Sequence, residues 1–169
     1  SKKDVVKPKY DFFPPGVNVI FSPIDKIVGE ENKVLLDDGQ VLNYDFLIIA
    51  TGTETRPSET EGLQDKLWYK DIFDFYTVEG AVALHKRFKD WEGGKLVMCI
   101  PELPYKCPVA PIEFVCLAEA YFAERGMRDK VEISYVTLMS GAFTKPVASK
   151  VLGDLLEEKN IEVVSDFYL

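Results

Sequence analysis

The sequence predicts an α/β protein: a Rossmann-like parallel sheet with flanking helices, preceded by a small antiparallel β-meander. Two observations lead there. From about residue 76 onward, short apolar runs suited to buried strands alternate with longer stretches of helical periodicity, the order that implies right-handed crossovers and a parallel sheet. Before residue 44 the runs are shorter and separated by tight turns such as Asp37-Asp-Gly39, the pattern of antiparallel strands. The organisation expected is an incomplete first domain over 1–52, made of the meander and a terminal strand, then a connector over 53–75 and a Rossmann-like domain over 76–169.

The elements follow in order. Residues 1–16 contain Pro8, Pro14, Pro15 and Gly16, carry little periodicity, and read as an irregular lead-in that looks cut from something longer. Strands are expected at 17–21, 24–28 and 33–36, with a turn at 29–32 and a short strand near Val41. Phe46, Leu47, Ile48, Ile49 and Ala50 then form a continuous apolar run suited to a strand buried on both faces, followed by Thr51-Gly52. The connector is turn-rich and polar, with local aromatic packing expected among Trp68, Tyr69, Phe73 and Phe75.

Thr77 is placed to cap a helix over 78–90, with Glu79 in its first turn and Ala81, Leu84 and Phe88 on one apolar face. A strand over 95–100 follows Gly93-Gly94, and an amphipathic helix runs from about Val109 to Arg125, stopped by Gly126. Then come a strand over 131–136, a loop over 137–145, a helix opening with Pro146 and a last strand over 161–164. In that helix Val147, Val151, Leu152, Leu155 and Leu156 make the apolar stripe, opposite Lys150, Asp154, Glu157 and Glu158.

Composition bounds the function. With 169 residues, 47% of them hydrophobic, the chain is globular and long enough to bury a core. A formal net charge of -8 argues against nucleic acid and against anionic membrane surfaces as partners, since both recruit basic patches. No run approaches a membrane-spanning length and Ser1-Lys-Lys-Asp4 has no signal-peptide core, so the expected location is cytoplasmic or peripheral to a membrane. The three cysteines, at 99, 107 and 116, make neither a disulfide framework nor a metal pair, and no metal is expected. Cys99, in an apolar strand, and Cys116, on a helix face with Ile112 and Ala120, read as core residues, and His85 beside Lys86 and Arg87 as a solvated surface residue.

Cys107 stands apart. It lies in Pro101–Pro111, between the strand over 95–100 and the following helix, where a dinucleotide-binding fold carries G-x-G-x-x-G. Here Pro101, Pro104, Pro108 and Pro111 remove four N–H donors, so the turn has the position of a phosphate cradle without its chemistry. What it offers is a thiol at a helix N-terminus, where the partial positive charge of the helix end and Lys106 favour a thiolate. Glu113, one turn into the helix, is a possible proton acceptor that the helix dipole alone also explains.

Four segments, Tyr44–Gly52, Phe75–Gly80, Lys106–Phe114 and Gly141–Ser149, together resemble the sulfide:quinone oxidoreductases. The first recurs throughout the FAD-dependent flavoproteins with two dinucleotide domains; K-C-P-x-A-P-x-E-F is far more specific. The resemblance runs from about Val17 to the end and covers the middle of such an enzyme, without its N-terminal G-x-G-x-x-G or its C-terminal membrane-contacting, quinone-binding part. It implies that Cys107, with a partner cysteine from outside the chain, accepts sulfide sulfur beside a flavin. It implies further that Ala50, Thr51 and Gly52 approach FAD, and that Ile24 touches its adenine through main-chain atoms.

The missing glycine turn, and the lack of an acidic residue in Val136–Ser140, argue against NADH binding. The function expected is that of a fragment, inactive by itself, of an enzyme passing electrons from sulfide through a redox cysteine and FAD to a quinone. Alternatives are a flavocytochrome c-type sulfide dehydrogenase, which usually shows C-P-P-G-P where this chain has Cys107–Pro111, an NADH:quinone oxidoreductase relative, and a non-catalytic interaction or persulfide-carrier domain. A homo-oligomer is expected, because an apolar strand at 44–50 without neighbours is a template for pairing.

Overall fold

The structure, a computed structural model, describes residues 5–168. The chain separates into two units, one ending at Thr53 and one beginning at Glu54. The N-terminal tetrapeptide weighed above as a leader lies outside the described residues.

The first unit holds a three-stranded antiparallel sheet of β1 (Ile24–Val28), β2 (Lys33–Leu36) and β3 (Val41–Asn43), in that order. Asn32, at φ 52, closes the first connection, a left-handed position that asparagine tolerates because its side chain is short and polar. Gly39, at φ 85, closes the second. Val34 and Leu36 point to one side of β2 and are the buried residues of this sheet, with Val34 opposite Leu42. The pairing of β1 with β2 is irregular between Ile24 and Lys26.

Two strand expectations fail here. Residues 17–21 form no strand, and 44–50 carry no sheet pairing. Far from being buried on both faces, Phe46 is 92% and Ile48 88% exposed. Apolar content recommends a segment for burial, but a strand exists only through a neighbour's amides and carbonyls, and among the described residues none lines up beside this one.

The second unit carries the parallel sheet, in the order β4 (Gly94–Ile100), β5 (Val131–Thr137), β6 (Ile161–Val164), with Met98 beside Tyr135 and Tyr135 beside Val163. Helices α1 (Val78–Asp90), α2 (Ala110–Glu124) and α3 (Pro146–Glu158) accompany it. Their starts follow from local chemistry. Thr77 accepts a hydrogen bond from the Gly80 amide at 2.9 Å, and Asp74 in turn accepts from the Thr77 amide at 2.7 Å, so two orphan donors at the head of α1 are satisfied. Pro111 and Pro146 sit in the first turns of α2 and α3, where a missing N–H costs nothing.

The core lies between the sheet and α2: Met98, Ile100, Ile133, Tyr135 and Ile161 meet Ile112, Val115, Ala118 and Phe122, with Leu156 from α3. Alternate residues of β4 face the other way, and Val97 and Cys99 are exposed. Cys99 is therefore not the core residue expected. The run Leu96–Ile100 looks buried on both faces in sequence, but in this unit only one of its faces is covered. Cys116 is half-buried, and desolvation holds its thiol above the ordinary value. His85 is exposed, as expected.

The α3 stripe is also only partly used: Leu156 is buried and Leu152 half-buried, while Val147 and Val151 are exposed. Aromatic contacts tie α1 to α2, with Phe88 against Phe114, Tyr121 and Phe122. The connector's aromatics split: Trp68 stacks on Tyr69, whereas Phe75 leaves the connector to lie parallel to Phe114 at 4.6 Å. No helix of the described residues is long and apolar enough to cross a membrane.

Candidate active site

The loop 101–109 leaves the carboxyl end of β4 and enters α2, the place where open α/β sheets bind ligands. It is irregular and mostly exposed, and it contains a cis bond between Leu103 and Pro104. Cys107 is exposed and holds φ at 54°, in the left-handed region. That conformation is uncommon for any residue with a Cβ, and a following proline pushes its predecessor toward extended backbone. Both preferences are overridden here, at a strain on the order of 1–3 kcal/mol.

Three hydrogen bonds hold the conformation. The Ala110 amide donates to the Cys107 carbonyl at 3.0 Å, closing the turn into α2. The Tyr76 hydroxyl donates to the Lys106 carbonyl at 2.6 Å, and the Tyr105 hydroxyl to the Pro108 carbonyl at 3.1 Å. Cys107 is thus bracketed by two phenols, one from the segment before α1 and one from the loop itself. Behind them Tyr135, wholly buried on β5, lies within hydrogen-bonding reach of Tyr105 and donates to the Ala142 carbonyl at 3.2 Å. Desolvation, then the proximity of Cys107 and Tyr105, pushes the Tyr76 phenol up to about 12. Desolvation raises Tyr105 and Tyr135 as well.

The sequence reading did not single out these tyrosines. Tyr105 stands two residues from Cys107 and Tyr76 lies in the Phe75–Gly80 segment, which were the available signals; Tyr76 is 31 positions from Cys107 and only the fold brings it to the loop. Glu113 is exposed in the first turn of α2. Among the described residues no group of three or more His, Cys, Asp or Glu could hold a metal ion.

The other predicted site residues fall in the first unit. Ile24 opens β1 at its irregular pairing with β2, leaving its main chain less committed to the sheet. Ala50, Thr51 and Gly52 are exposed, and Gly52 has φ at 72° with open space where a Cβ would be. An exposed backbone of small residues, one of them in a glycine-favoured conformation, fits a dinucleotide that must approach the main chain closely.

Residues 81–145, which include the Cys107 loop, match the family described as sulfide dehydrogenase (flavocytochrome c) flavoprotein chain, central. The chain is 27% identical over 162 residues to the mitochondrial sulfide:quinone oxidoreductase of Dictyostelium discoideum, covering 95% of this chain and 36% of that protein. The mitochondrial sulfide:quinone oxidoreductase of Mus musculus is 27% identical over 158 residues, covering 94% of this chain and 35% of the relative. The chain thus spans about a third of the length of these relatives. The solved sulfide:quinone oxidoreductase of Aquifex aeolicus superposes with a TM-score of 0.64 at 21% identity, over 89% of this chain and 35% of that one, a likeness of fold.

In sequence the chain is similar to sulfide-oxidising flavoproteins, and in fold to one of them. Among these, the curated relatives it resembles, at 27% identity, are sulfide:quinone oxidoreductases.

Proposed function

We propose that this chain forms the part of a sulfide:quinone oxidoreductase that carries the sulfide-reactive Cys107, in an FAD-dependent enzyme delivering electrons to a membrane quinone. The observation that carries the reading is an exposed cysteine, held in a strained backbone conformation, in the K-C-P-x-A-P-x-E-F loop at the carboxyl end of a parallel strand.

FAD, when bound, supplies a two-electron acceptor beside the thiol. The chain's residues do the rest. Ala50, Thr51 and Gly52 offer main chain to the cofactor, and Ile24 offers main-chain contact to its adenine. Cys107 works as one half of a disulfide with a partner cysteine: sulfide attacks that disulfide, its S–S bond breaks, one cysteine keeps the added sulfur as a persulfide and the other leaves as a thiolate. The positive end of α2 stabilises negative charge on sulfur at residue 107.

In domain terms, 1–52 contributes to FAD binding, 53–75 connects, and 76–169 is a Rossmann-like domain that does not take NADH. The enzyme works at the membrane surface and as a homo-oligomer. The family match over 81–145 favours a second reading that differs only in the acceptor, a cytochrome in place of a quinone.

The test uses the flavin-containing protein that bears this sequence. Anaerobic sulfide is expected to bleach the flavin absorbance, and Cys107→Ser to slow that bleaching at least a hundredfold. Bleaching by NADH, or undiminished bleaching by sulfide in Cys107→Ser, overturns the reading. Reoxidation of the reduced flavin by a short-chain quinone or by cytochrome c then decides the acceptor.

A further inference from the structure

We infer that Tyr76 and Tyr105 are positioning residues for Cys107, holding its backbone left-handed by gripping the carbonyl groups on either side of it. The inference rests on the reading of Cys107 as the reacting thiol. Cysteine before proline prefers extended backbone, yet Cys107 has φ at 54°, so something outside the residue sets its conformation. The carbonyls of Lys106 and Pro108 accept hydrogen bonds from the two phenols, at 2.6 and 3.1 Å.

Each phenol has a single proton, and that proton is committed to a carbonyl. Neither can donate it to a thiolate or a persulfide at the same time. The two tyrosines therefore act by placement and not by proton transfer. They also anchor the loop to different parts of the frame, Tyr76 through the segment that leads into α1 and Tyr105 through its contact with buried Tyr135. Two fixed points on opposite sides of one residue define where its Cβ, and so its sulfur, is held.

Removing a hydroxyl as Tyr→Phe keeps the ring and frees a carbonyl that faces an exposed loop, so the fold is retained. In protein labelled at Cys, Ile and Val, the amide–Hα coupling and the Cα shift of Cys107 report the sign of φ. They are expected to show left-handed backbone in the wild type and to move toward extended values in Tyr76→Phe/Tyr105→Phe, with the resonances of Ile133 and Val115 unchanged. In the flavin-containing protein, the rate of flavin reduction at saturating sulfide is expected to fall about tenfold or more, with half-saturating sulfide within twofold of wild type.

A left-handed Cys107 in the double variant overturns the inference, whether or not the rate falls. A rate that is unchanged despite an extended Cys107 overturns it too. Should the double variant unfold, Tyr76→Phe alone, which leaves the Tyr105–Tyr135 contact in place, carries the same comparison. Undiminished reduction in Cys107→Ser would sink the proposed function while leaving the backbone measurement to judge the clamp.

Discussion

Tyr76 makes the candidate site sensitive to alkali. Its phenol titrates at about 12, against an ordinary 10.0, because burial and the neighbouring Cys107 and Tyr105 disfavour the phenolate. Below pH 10 it is neutral folded or unfolded and adds no pH dependence. Between 10 and 12 the unfolded chain ionises first, so the contribution to stability that is complete below pH 10 is lost as pH rises to the folded value. Absorbance at 295 nm is expected to show late tyrosinate absorbance near pH 12 that falls by one tyrosine's share in Tyr76→Phe; a titration complete by pH 11, or an unchanged late amplitude in the variant, would contradict this. Cys107 itself was legible as the candidate thiol from its proline-rich surroundings. Its left-handed backbone was not, because Cys-Pro in a sequence argues for the extended conformation, and the phenols that override the preference are placed by tertiary structure.

The elements with local causes were legible to within a residue. Helix α1 begins after Thr77 as its cap requires, and the glycine turn at 93–94 and Pro146 likewise mark where β4 and α3 begin. The failures, at 17–21 and 44–50, are strands, whose existence depends on partners distant in sequence. The cap of α1 also contains a position that composition could not reveal. A Cβ on Gly80 would run into the carboxylate and carbonyl of Asp74, the residue that accepts from Thr77 and from the Tyr69 hydroxyl. Gly80→Ala must displace that carboxylate, and although alanine is the better helix former, a loss of about 1–3 kcal/mol is expected in denaturant unfolding. An unchanged or raised midpoint would mean that Asp74 moves aside freely.

At the scale of the whole molecule, residues 46–49 are a contiguous exposed apolar stretch that pairs with no strand among the described residues, a combination that promotes association. Light scattering of this chain is expected to show dimers or larger species that Phe46→Lys/Ile48→Lys returns to monomer; a wild-type monomer at all concentrations would remove the argument for pairing through this segment. Net stability of a folded protein is small, so a strained residue at φ 54° is a sizeable fraction of it. Glycine at position 107 would relax the loop. The substitution that best suits the backbone is thus one that deletes the thiol, so on the proposed role of Cys107 durability is set against chemistry at a single residue, and selection for a sturdier protein alone would drift toward an inert one.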